Sequence, residues 1–183
     1  YVAAQCALLA YHTKRPVLLS YSREVDIQFT SKRHPIKSHY KVGFKKDGRL
    51  VAMEIKAHID IGACATLSPI VMYRSLVHAA GAYDVPNVKV DIDGVYTNKV
   101  PCGAFRGFGS PQVLFAIESI MDESSKQLGI DPIDLRLKNA LKVGSKTSTD
   151  HLLTESVGAV ETIMHAIKLA DYENLKKSVS EFN

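Results

Sequence analysis

Hydrophobic and polar positions along this chain follow two periods, one near 3.6 residues and one of two. In VAAQCALLAYHT (Val2–Thr13), Ala3, Cys6, Leu9 and Ala10 share a helical stripe, which predicts an Ala-rich core helix ended by Pro16. Val17-Leu18-Leu19-Ser20-Tyr21 has the short apolar run of a buried strand, and Ser22 caps a brief helical turn that Asp26 continues poorly. The clearest signal follows. Tyr40, Val42 and Phe44 alternate with polar residues, Asp47-Gly48 marks a turn, and Val51, Met53, Ile55, Ala57, Ile59 and Ile61 alternate again. That pattern predicts a long β-hairpin with one buried face.

Ser68-Pro69 opens a predicted helix over roughly Ile70–Ala80, closed by Gly81, and alternation at Val88, Val90, Ile92 and Gly94 predicts another strand. A loop from Asn98 to Gly109 leads to Ser110-Pro111, the cap and first turn of a long helix through Leu128, stopped by Gly129. Asp131-Pro132 starts a shorter helix to about Leu141, and Val160, Ile163, Met164 and Ile167 form one amphipathic stretch before a polar end. The fold class is α+β: a mixed or antiparallel sheet with a long hairpin and packed helices.

Composition narrows the function classes. The 183 residues are 46% hydrophobic and 23% charged, a globular mixture, and no apolar run is long enough to span a membrane. A chain of this size should fold to about 9,000 Å² of accessible surface. The net charge of +4 is concentrated in residues 1–60, with 11 Lys/Arg against 5 Asp/Glu, but no aromatic-interleaved basic stripe points to nucleic acid. Cys6, Cys64 and Cys102 are too few for a disulfide framework or an iron–sulfur cluster. Cys64 and Cys102 are expected as small buried residues, in a cytoplasmic, reducing setting. The seven His form no metal-ligand spacing, so no residue is expected as a direct metal ligand. The chain opens on Tyr1, with neither Met nor a helix cap, and is expected to be a piece of something longer.

One stretch is hard to explain by packing alone. In GAFRGFGSPQ (Gly103–Gln112), three Gly surround two Phe and one Arg just before a helix N-terminus. Gly permits close backbone approach to a ligand, Arg106 offers a planar fork of donors, and Phe108 offers a stacking face. The pattern suits a flat, anionic or polar organic ligand. A Gly-rich turn with two core Phe and a solvated Arg would look the same. The glycine spacing is not that of a dinucleotide fingerprint.

GAFRGFGSPQ, with SKRHPIKSHYKVGFKKDGRLVAMEI upstream and QLGIDPIDLRLKNAL downstream, closely resembles the molybdenum-binding portion of the xanthine dehydrogenase/aldehyde oxidase family, over roughly residues 2–170. The resemblance implies that residues 1–183 are one fragment of a molybdopterin-binding domain in a larger molybdenum hydroxylase. Such enzymes insert oxygen from water into an electron-poor carbon with a Glu as general base. Electrons leave through iron–sulfur clusters and often FAD, on other domains or subunits that would be partners of this one.

Carried over by position, Arg106 matches the Arg of the segment lying against the molybdenum cofactor, with Phe105 and Gly107 flanking it. Phe108 matches the Phe that stacks on an aromatic substrate, and from the residues alone Phe105 is expected in the core. Arg74 falls where xanthine-oxidising members bind a substrate oxygen, in an apolar helix where a buried Arg would need an acceptor. His34-Pro35 belongs to the same pattern, as a structural turn. The Gly-rich segment with the metal-facing Gln is expected upstream and the base Glu downstream, so no catalytic residue is assigned here and the fragment alone should be inactive. Arg74 points to a purine-like N-heteroaromatic of the xanthine or hypoxanthine type. The alternatives are an aldehyde or nicotinate-like ring, or a non-catalytic relic of the scaffold.

Overall fold

The computed structural model describes residues 2–182. Its centre is β2 (Leu50–Gly62), which is paired on both sides, antiparallel to β1 (Ile36–Phe44) and parallel to β3 (Asn87–Tyr96). The sheet is therefore mixed, in the order β1-β2-β3. Strict alternation puts Met53, Ile55, Ala57, Ile59 and Ile61 on the buried face of β2, while Lys56 and His58 face water beside His39, Lys37, Asp91 and Asp93 of the neighbouring strands. The hairpin turn spans Lys45–Arg49, closed by hydrogen bonds from Lys45 N to Arg49 O (2.8 Å) and from Gly48 N to Lys45 O (2.9 Å).

The parallel β2–β3 pair needs a crossover, and α3 (Ser68–His78) supplies it. The long helix α4 (Ser110–Leu128) packs beside α3, and together they cover one sheet face. Val113, Ile117 and Met121 of α4 meet Met53, Ile55, Ala79, Ala80 and Tyr83 there in a single core. Asp131 caps α5 (Pro132–Asn139) by accepting from Ile133 N at 2.8 Å.

Three of the α5 residues fasten it in different directions. Leu135 is fully buried in the core, and Arg136 reaches Glu118 (2.8 Å) and Asp122 (2.8 Å) on α4. Buried Asn139 closes the far end. Its Oδ1 accepts from Leu50 N (2.8 Å), and its Nδ2 donates to Gly48 O (2.8 Å) and Leu135 O (2.8 Å).

The ends of the chain depart from the sequence expectation. Val17–Tyr21 is not a strand but an irregular segment with Leu18 exposed, because no strand of the sheet runs beside it. The first helix, α1 (Val2–Thr13), forms as expected, yet none of its residues is buried. Local pattern made the helix, but among the described residues no other helix or strand buries its apolar stripe. The turn after Ser22 is a two-turn helix, α2 (Arg23–Phe29), and the polar end is helical too. After α6 (Ala159–Leu169) comes α7 (Tyr172–Phe182), whose Leu175, Val179 and Phe182 are exposed. Cys64 is also exposed, since it sits on the turn after β2. The accessible surface of 12,295 Å² accordingly exceeds by about a third the value for a compact chain of this mass.

Asn139→Ala would strand one amide and two carbonyls where the hairpin turn meets α5. The expected cost is about 2–4 kcal/mol, read as a lower denaturant midpoint at unchanged slope.

Candidate functional site

The loop from Asn98 to Gly109 runs from the end of β3 to the start of α4 and is tied down at nearly every turn. Its start is held by Asp60, whose Oδ1 accepts from Thr97 Oγ1 (2.6 Å) and Gly62 N (3.0 Å), while Oδ2 pairs with Lys99 Nζ (2.6 Å). The hydrogen bond from Lys99, with that from Thr97, pulls the Asp60 carboxyl down to about 2. Midway, Cys102 N donates to Ile61 O (3.1 Å), Thr66 Oγ1 donates to Cys102 O (2.8 Å), and Gly103 N donates to Lys32 O (3.0 Å).

The end of the loop takes an unusual shape. Gly107, Phe108 and Gly109 are all left-handed, with φ of 89°, 51° and 100°. Phe108 N donates to Phe105 O (2.7 Å) and Ser110 N to Gly107 O (3.0 Å), closing the turn. A left-handed conformation costs a bulky residue about 1–2 kcal/mol, so the strain at Phe108 is held by what surrounds it. Gly109 lies close against the backbone of α3. A Cβ there would stand 2.6 Å from Ser75 Oγ and collide with the Val71 carbonyl, and Ser75 Oγ donates to Gly109 O (3.1 Å). The cap of α4 is consequently Gly109 rather than Ser110. The left-handed run brings the helix start forward by one residue and leaves Ser110 Oγ buried without a hydrogen-bond partner.

Of the residues singled out in the sequence, Phe105 and Arg106 are exposed. At 54% exposure Phe105 is no core residue; the Arg33 guanidinium lies over its ring at 4.6 Å. Arg106 makes no side-chain hydrogen bond or ion pair among the described residues, whereas its carbonyl accepts from Arg33 Nη2 (2.7 Å). Phe108 is half-buried and Gly107 abuts the Pro111 ring. Arg74 is exposed on α3, so it needs no buried acceptor: the helix turns Val71 and Ser75 to the loop and Arg74 to the adjoining face. It too has no acceptor among the described residues, and its charge adds to burial in lowering the His78 pKa. The Ser75–Gly109 bond ties the residue after Arg74 to the residue after Phe108, so the helix and the loop meet beside the two positions expected to bind substrate.

Sequence reasoning passed over Arg33 and Gln112 as functional groups. Arg33 Nη1 approaches Gln112 Oε1 at 3.4 Å, and Gln112 Nε2 donates to His34 O at 3.2 Å. Their only signal was membership in the blocks SKRHP and SPQ. His34 is buried, with Nε2 2.7 Å from Ser68 Oγ, so the expected turn is also a pin between the start of β1 and α3. Among the described residues, no group of His, Cys, Asp or Glu is arranged to hold a metal ion. No helix is long and apolar enough to cross a membrane.

Residues 1–140 match the family model described as molybdopterin cofactor-binding domain. The chain is 46% identical over 179 residues to the nicotinate dehydrogenase large molybdopterin subunit of Eubacterium barkeri, covering 96% of this chain and 42% of that protein. It is 40% identical over 157 residues to a probable xanthine dehydrogenase component of Bacillus subtilis, covering 86% and 21% respectively. Among solved structures, the aldehyde oxidoreductase of Desulfovibrio gigas superposes with a TM-score of 0.86 at 34% identity, over 97% of this chain and 19% of that one. The chain thus spans less than half the length of the relatives it matches.

Burial lowers the His34 pKa more than the Asp60 charge raises it. The unfolded chain then takes up a proton below about 6.5 that the folded chain resists. Stability should be full above that pH and fall as pH drops below it. His78, lowered in the same way, contributes the same sign. In His34→Gln the decline in melting temperature between about pH 7.5 and 5.5 should be shallower than in the wild type, as followed by circular dichroism.

Proposed function

This chain belongs to the molybdopterin cofactor-binding domain family, and on that premise we propose that it forms part of the active-site domain of a molybdenum hydroxylase acting on an N-heteroaromatic ring. The ring carries an oxo or carboxylate group, a purine of the xanthine or hypoxanthine type being the first candidate, and water is the oxygen donor. The residues present suit a molybdopterin group. The loop offers the unpaired Arg106 guanidinium, the exposed backbone around Gly107 and the orphaned hydroxyl of Ser110. When bound, that group supplies the two-electron oxidation and the oxygen insertion.

The chain's own residues bind and orient. Arg106, with Phe105 and Gly107, holds the cofactor side of the loop; Phe108 stacks on the substrate ring; Arg74 donates to its anionic or polarised oxygen. The observation that carries this reading is Arg74, an exposed guanidinium without an acceptor among the described residues, tethered through Ser75 to the strained loop. An aldehyde gives such a cation less to do. A nicotinate-like ring is the second reading, favoured by the 46% identity to the Eubacterium barkeri subunit, and its carboxylate would accept the Arg74 fork in two places. We assign the general base, a Glu, to the rest of the molybdenum subunit, and electron transfer to iron–sulfur and FAD domains, in a cytoplasmic enzyme.

In the full-length enzyme, assayed on xanthine, hypoxanthine, nicotinate and benzaldehyde, Arg74→Met should lower kcat on the oxo or carboxylated ring by about 10²- to 10³-fold while sparing benzaldehyde. Equal losses at equal molybdenum occupancy would overturn the role. Phe108→Ala should cost about 1–3 kcal/mol in kcat/KM, some 5- to 150-fold, on every flat ring with cofactor content unchanged. The isolated 183-residue chain should be silent, with no stoichiometric molybdenum on metal analysis.

A further inference from the structure

We propose that Arg33 is a positioning residue for the cofactor-facing segment Phe105–Arg106, a role that rests on the functional reading of Arg106. It makes three contacts across more than seventy residues of sequence. Its guanidinium plane lies 4.6 Å from the centre of the Phe105 ring, Nη2 donates to Arg106 O at 2.7 Å, and Nη1 reaches Gln112 Oε1 at 3.4 Å. One rigid, planar group therefore grips the ring before Arg106, the carbonyl of Arg106, and the first turn of α4. The other end of the strap is secured, because Gln112 Nε2 donates to His34 O (3.2 Å) and buried His34 is pinned to Ser68 (2.7 Å).

The grip matters because little else holds this stretch. Phe105 and Arg106 are exposed, and the Arg106 side chain has no partner among the described residues. Gly103 and Gly109 are fastened on either side, by Lys32 O and by Ser75. Between them, among the described residues, the Arg106 peptide is oriented by Arg33 and by the turn that Phe108 N closes onto Phe105 O. Arg33 thereby aims the Arg106 guanidinium outward, ready to meet a bulky anionic or polar group. It acts through Arg106 and need not touch that group itself. A lysine could supply the charge but neither the stacking plane nor the two-armed donation.

The test compares Arg33→Met and Arg33→Lys with the wild type in the full-length molybdenum-containing protein. The readouts are the rate of pterin release, followed by fluorescence after oxidation, and hydrogen exchange of the Phe108 and Ser110 amides in the cofactor-free protein. Arg33→Met should release pterin about 10- to 100-fold faster, the usual consequence of losing a group that orients a ligand-binding residue. Exchange at the two amides should quicken while the melting temperature stays near wild type. Wild-type release and exchange in Arg33→Met would overturn the proposal. Should Arg33→Met also destabilise the fold, Arg33→Lys decides. It keeps the charge but gives up the planar, two-armed donation, so faster release supports the strap and unchanged release refutes it. Should the wild-type protein carry no pterin at all, the functional reading fails by itself, and hydrogen exchange alone then decides whether Arg33 holds the loop.

Discussion

The contact between Gly109 and helix α3 is the constraint on which the rest of the site depends. There the loop backbone comes so near to Val71 and Ser75 that no side chain fits between them. The loop can therefore end only in a left-handed turn, which in turn forces Phe108 into a conformation it would not choose alone. The energy stored at Phe108 is small beside the burial of Val71 on α3 and of Val113 and Ile117 on α4, so the packed helices impose the shape and the loop accepts it. Rigid elements thus present two exposed arginines, Arg74 and Arg106, from neighbouring segments, neither with a side-chain partner among the described residues.

The second block of the family pattern does a different job. In DPIDLRLKN, Asp131 caps, Leu135 fills, Arg136 clamps and Asn139 bridges, and none of these lies in the loop from Asn98 to Gly109. The two blocks are complementary. One forms an exposed, strained turn and the other holds the fold together. Because Arg136 and Asn139 are both satisfied by groups of this chain, α5 can seat α4 and the hairpin turn simultaneously, and α4 in turn fixes the loop ahead of it.

Much of this was legible in the residues. Period-two alternation located β2 to within a residue, and Ser-Pro and Asp-Pro pairs marked where α3, α4 and α5 begin, since those signals are local. What the residues could not convey was whatever depends on partners distant in sequence. Reasoning from an apolar run failed at Val17–Tyr21 because a strand needs a neighbour and the run cannot say whether one exists. Ser110 looked like a cap because its type favours that position, yet the cap is set by the left-handed turn before it. The apolar neighbours of Arg74 left open whether it is buried, because only the seam with Gly109 decides which side of α3 faces inward. Arg33 drew no notice because its partners are 72 to 79 positions away.

The Asn139 bridge also bears on how the chain is made. Its partners Gly48 and Leu50 precede it by 91 and 89 residues. At synthesis rates of about 5–20 residues per second, the hairpin turn emerges roughly 5–20 s before the side chain that satisfies it. During that interval β1 and β2 can pair, but the turn is unbraced and the apolar face of β2 waits for α3 and α4. A pause in translation between the hairpin and α5 would lengthen the time for which that apolar face stands uncovered.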